Sequence, residues 1–218
     1  MNDALWQITS LGDALLALAH AARLPHQATK LAAPLSAKDM PTWLDAAATR
    51  IGLEANSVSA GYADVTNMLR QCGPAIVTLV GWTPSSDRPS RVPSTGAWDR
   101  PDVGVRTTVL VVLSASRTHL RVVAPDLSIR SVLIDDVREA LCREVERPVA
   151  AEIETLIHDV GLHGRAAQRA TSALRQQRLA DAQIGGVWML RAPGHGEVRW
   201  SRWLTLLIGS HVIEQQCS

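Results

Sequence analysis

Leu11, Leu15, Leu18 and Ala19 recur at the spacing that aligns side chains on one helical face, which predicts a helix over 10–22. A second helix is predicted from Pro41 to about Ile51. Asp39 stands before it as a cap, and Pro41 suits the first turn, where a missing N–H costs nothing. Leu44 and Ala48 carry its apolar face, and Gly52 ends it. Residues 54–60 have the pattern of a short strand, and 63–71 that of a third helix begun near Asp64. After Gly73-Pro74, Ala75 to Val80 is apolar at nearly every position, as in a strand covered on both faces.

The pattern loosens over 83–104, where Pro84, Pro89, Pro93 and Pro101 among Ser and Gly predict a long surface loop. Thr107 to Leu113 is the most apolar strand of the chain. Residues 120–123 and 129–134 flank Pro125-Asp126 and predict a hairpin. Asp135 and Asp136 then open a helix through Val137, Leu141 and Val145. From Pro148 the character changes. Residues 149–180 are helical in pattern with a break at Gly161 to Gly164, and Gly185-Gly186 precedes a strand, Val187 to Leu190, with a tight turn at 193–196. The expected organisation is an α+β domain over 1–147 with three helices and a sheet of about five strands. A helical arm with a small β-hairpin follows over 148–199, and an apolar terminal segment over 200–218.

Composition narrows the function classes. With 46% hydrophobic residues, 20% charged residues and a net charge of +1, the chain is neither an intrinsically disordered tail nor a dedicated nucleic-acid binder. The basic residues are almost all Arg (Lys30 and Lys38 are the exceptions), a bias of composition rather than of function. Cys72, Cys142 and Cys217 are too few and too odd in number for a disulfide framework, which points to a reducing compartment. The seven histidines lack metal-ligand spacing, and neither Cys72 nor Cys142 has a second cysteine nearby. Gly185-Gly186 lacks the Lys-Ser/Thr of a phosphate loop, so neither a metal nor a cofactor is implied.

Residues 1–22 read as an amphipathic helix rather than a signal peptide, and no run of 18 apolar residues spans a bilayer by itself. Trp203 to Ile213 is apolar except for Thr205, Ser210 and His211, and it is introduced by Trp200 and Arg202. On the residues alone, a C-terminal core helix and the opening turns of a membrane span both fit.

The order of these elements resembles a known family, the bacteriocin-processing cysteine peptidase domain at the N-terminus of peptide-exporting ABC transporters. Residues 6–147 carry the likeness. Leu11-Gly12-Asp13-Ala14-Leu15-Leu16-Ala17-Leu18 resembles the nucleophile helix, Cys-Gly-x-Ala-x-Leu-x-Met. Ile51-Gly52-Leu53 resembles the Leu-Gly-Leu turn, Pro74-Ala75-Ile76 opens a strand as in the family, and 109–113 is similar to His-Phe-Val-Val-Leu. The resemblance implies a papain-like fold, helices packed on an antiparallel sheet, with Leu11 at the nucleophile position, Val109 at the histidine position and Ala124 at the Asp position. The oxyanion Gln falls near Leu5, with Gln7 out of register.

A cysteine peptidase needs a thiolate, a base and an orienting group. All three positions here are apolar, so the resemblance implies a domain with no catalytic residues that binds or presents a substrate or leader peptide for export. It further implies a place on the cytoplasmic side of the bacterial inner membrane, beside the transmembrane and ATP-binding parts of an exporter, with 200–218 as the membrane-proximal start of a first span. Two alternatives come from the residues. Cys72, His119 and Asp126 could form a rebuilt peptidase triad, although nothing near Cys72 lowers its pKa. Arg165, Arg169, Arg175, Arg178 and Arg191, against the single acid Asp181, could line a winged helix on DNA.

Overall fold

Strand-forming runs and helical stripes assemble into three layers in the computed structural model, which describes residues 2–34, 36–80 and 107–194. The strands are β1 (Leu5–Gln7), β2 (Glu54–Gly61), β3 (Ala75–Val80), β4 (Thr107–Ala115), β5 (His119–Val123), β6 (Ile129–Leu133) and β7 (Gln183–Arg191). The helices are α1 (Leu11–Ala21), α2 (Met40–Arg50), α3 (Val65–Gln71), α4 (Ile134–Asp159) and α5 (Gly164–Arg178). The strands form one open sheet in the order β2-β7-β3-β4-β5-β6, with β1 on β4. Every pairing is antiparallel. The fold is therefore α+β.

The alternation of strand side chains divides the core in two. Ile76, Val109, Val111 and Val123 point to the face covered by α1 and α2, where Leu11, Leu15, Leu18 and Leu44 are buried. Val77, Leu110, Val112 and Val122 point to the face covered by α3 and α4, through Leu69, Val137 and Ala140. β3 and β4 are thus apolar at successive positions because both of their faces are roofed. β1 and β5 share the edge of β4 that β3 leaves: β1 pairs with 108–110 and β5 with 111–115.

The elements predicted over 10–22, 41–51, 54–60, 63–71, 75–80 and 107–113 appear within a few residues of those bounds. Three details differ. Asp39 makes no capping bond to α2; its Oδ2 accepts from Ser36 Oγ at 2.8 Å. The boundary expected near 148 falls inside α4, which runs through Pro148 because its apolar face continues to the buried Ile153. Burial on both sides of Pro148, Val145 and Val149 against the sheet cluster and Ile153 beyond them, outweighs the one hydrogen bond that proline removes. The strand expected in a separate hairpin is β7, which inserts between β2 and β3 in the sheet. Four consecutive apolar residues, Val187 to Leu190, need cover on both faces, and only an internal position supplies it.

α5 packs on α4 and buries no residue completely. Among the described residues no helix is long and apolar enough to cross a membrane. The loop expected over 83–104, Cys217 and the segment 200–218 lie outside the described residues.

Candidate functional site

α1 opens at Leu11 without a side-chain cap from Ser10. A helix N-terminus is where a thiolate gains from unpaired N–H groups and the helix dipole. Here that position holds a leucine with no solvent exposure, in one apolar cluster with Val109 of β4. Trp6 of β1 sits opposite Val109 in the register, is buried, and donates its indole N–H to the Val123 carbonyl at 2.8 Å. Leu11, Val109, Trp6 and Val123 are thus members of one apolar core cluster. None of them can attack a carbonyl or carry a proton.

Ala124 is placed differently. It follows Val122 in alternation and joins the cluster on the α3–α4 face, whereas Leu11 and Val109 belong to the cluster on the other face. Val123 is the residue at that end of β5 that shares their cluster. The side of the sheet on which this position falls depends on a one-residue register that spacing alone does not fix. Trp6 was not expected at the site, because its place depends on a three-residue strand; the only signal is a large aromatic beside Leu5.

Gly12 has a definite steric role. A Cβ there would lie 2.8 Å from the Leu31 carbonyl oxygen and 3.0 Å from Leu31 Cβ. The chain after α1 therefore folds back across the start of that helix. It is tied down by Gln27 N–H to the Ile51 carbonyl at 2.9 Å and by Trp43 Nε1–H to the Ala32 carbonyl at 2.8 Å. Between this returning segment and the β5–β6 turn runs a groove of about 480 Å³ along the outer side of α1. Leu16, Ala17 and Ala21 line it from the helix, Val123 from the end of β5, Leu127 from the turn after it, and Asp13, His20, His26 and Lys30 add polar groups. The His20 and His26 rings meet edge to face at 6.5 Å, with His26 Nδ1 2.8 Å from the Leu24 carbonyl.

The members of the alternative triad have separate partners. Cys72 is buried, its thiol donates to the Leu69 carbonyl at 3.1 Å, and burial pushes its pKa up to about 12. It is a protonated thiol at neutral pH. His119 is exposed, with Nδ1 2.9 Å from Thr118 Oγ1. Asp126 Oδ1 accepts from Ser128 Oγ at 2.6 Å and Ser128 N–H at 3.0 Å, while Oδ2 pairs with Arg130 at 2.9 Å. The Ser128 bonds, followed by Arg130, hold that carboxyl down at about 2.

No protein-family model matches the chain, and no curated protein matches it. Among the described residues no group of His, Cys, Asp or Glu could hold a metal ion. Of the arginines considered for DNA, Arg175 pairs with Glu146 at 3.3 Å and Arg178 with Glu152 at 2.6 Å, both on α4. These two contacts join α5 to its neighbour.

Proposed function

We propose that this chain is a non-cleaving, papain-like peptidase domain that binds or presents a substrate peptide to an ABC-type exporter. Its place would be the cytoplasmic side of the bacterial inner membrane, next to the transmembrane and ATP-binding parts. One observation carries the reading: the residue that opens α1 is a leucine buried with Val109 of β4. The helix and strand that would carry nucleophile and base are paired, but with apolar side chains. The groove along α1 supports the binding half of the proposal, since it combines an apolar floor with a few polar groups, as ligand sites do.

The test is to incubate the full chain with synthetic leader peptides ending in two small residues. Binding is followed by fluorescence anisotropy and peptide integrity by mass spectrometry. The proposal expects saturable binding with the peptide intact. Cleavage, or no binding to any such peptide, would overturn it.

A further inference from the structure

Away from the α1 groove, a cleft of about 530 Å³ opens between α4 and α5 beside Tyr62. Its α5 wall is a stripe: Gln168, Thr171, Ser172 and Arg175 follow the i, i+3, i+4, i+7 spacing of one helical face. Across from it stands Arg138 of α4, whose guanidinium carbon lies 4.9 Å from the centre of the Tyr62 ring. Glu146 holds this cluster together. Its Oε1 accepts from Tyr62 Oη at 2.5 Å and lies 3.9 Å from Arg138 Nη1, while its Oε2 lies 3.3 Å from Arg175 Nη1.

The charge count is uneven. Two guanidiniums face one carboxylate, so the cleft keeps one positive charge after Glu146 has been neutralised. The donor count is uneven as well. Arg175 Nε is buried without a hydrogen-bond partner. Among the described residues, the side chains of Gln168, Thr171 and Ser172 make no intramolecular hydrogen bond. An ion pair that only fastened α5 to α4 would need Glu146 and one arginine. The second arginine and the hydroxyls of Thr171 and Ser172 supply unused donors around a small-molecule-sized space. Guanidiniums and hydroxyls lining one space in this way suit a tetrahedral oxyanion, which accepts charge-assisted N–H and O–H bonds.

We propose that the α4–α5 cleft is a phosphate-binding site, in which Arg138 and Arg175 take the charge and Thr171 and Ser172 donate to the remaining oxygens. The phosphate can belong to a soluble phosphorylated molecule or to a lipid headgroup. The site is independent of the α1 groove and of the peptide reading attached to it.

The test titrates the full chain with inorganic phosphate against sodium chloride at matched ionic strength, following backbone amide shifts. The site predicts saturation in the millimolar range, with shifts concentrated at 168–176 and around Arg138. The double variant Thr171→Ala/Ser172→Ala breaks no hydrogen bond among the described residues. It should fold normally and bind phosphate about tenfold more weakly, the equivalent of one or two hydrogen bonds. Arg175→Lys keeps the charge beside Glu146 but loses the planar guanidinium, and should weaken binding at least as much. A second arm adds vesicles of phosphatidylglycerol or of phosphatidylcholine. Phosphate-competed binding to the anionic vesicles alone assigns the site to a headgroup, and phosphate binding without vesicle binding assigns it to a soluble ligand. No saturable phosphate binding, or an affinity unchanged in both variants, would overturn the proposal.

Discussion

Replacing Leu11 with alanine separates a core position from an open catalytic cleft. Leu11 has no exposed surface and shares its cluster with Trp6, Val109 and Val111. Truncation removes three carbons from a site whose neighbours belong to two strands and a helix, so collapse into the gap is restricted. Buried leucines in such settings lose about 3–5 kcal/mol on truncation, transfer and cavity together. With a urea slope of about 2 kcal/mol per molar, the unfolding midpoint should fall by about 1.5–2.5 M. The assay is equilibrium urea unfolding followed by circular dichroism and by tryptophan fluorescence, which reports Trp6 among others. A loss within about 0.5 kcal/mol, the range of surface substitutions, would mean that Leu11 lines an open site. The account of a filled catalytic position would then fail.

Three further outcomes follow from particular contacts. Trp6→Phe keeps the apolar bulk but removes the donor to the Val123 carbonyl, and should cost about 1–2 kcal/mol in the same unfolding assay. Leu127 is 66% exposed at φ 62°, a left-handed conformation that strains a leucine, so Leu127→Gly should leave stability unchanged or raise it by up to about 1 kcal/mol. For Cys72 the folded pKa of about 12 exceeds the unfolded value of 9.0, so its stabilising contribution is complete below pH 9.0 and is lost as pH rises through about 12. Relative to Cys72→Ala, stability should therefore fall by about 2 kcal/mol between about pH 7.5 and about pH 10.5, and a parallel pH profile for the two proteins would contradict the buried protonated thiol.

Much of the fold is visible in the residues because the strongest physical signals coincide. The leucine spacing of 11–18 defines α1, and the unbroken apolar runs of β3 and β4 announce strands roofed on both sides. The same rule applies to Val187 to Leu190, but its consequence, insertion between β2 and β3, is a matter of tertiary pairing that 100 residues of intervening chain conceal. Pro148 looks like a boundary locally and is overridden by burial on either side of it. At the site, only the family resemblance set Leu11, Val109 and Ala124 together; Leu11 and Val109 share one core cluster, while Ala124 falls in the other. Ala124 sits just past the end of a five-residue strand, where one step changes the face. The cluster of Tyr62, Arg138, Glu146 and Arg175 ties the turn after β2 to the distant α4 and α5, and no local spacing announces it.

Mapping where a leader peptide touches the protein tests the central claim most directly. Amide shifts of the full chain, recorded with and without such a peptide, should change along α1 from Asp13 to Ala21, in 26–30, and at Val123 and Leu127, with the peptide intact at the end. Leu16→Glu, which puts a charge on the groove floor, should abolish those shifts while leaving the fold in place. Shifts confined to other surfaces, or binding unaffected by Leu16→Glu, would contradict a peptide site on the face of α1.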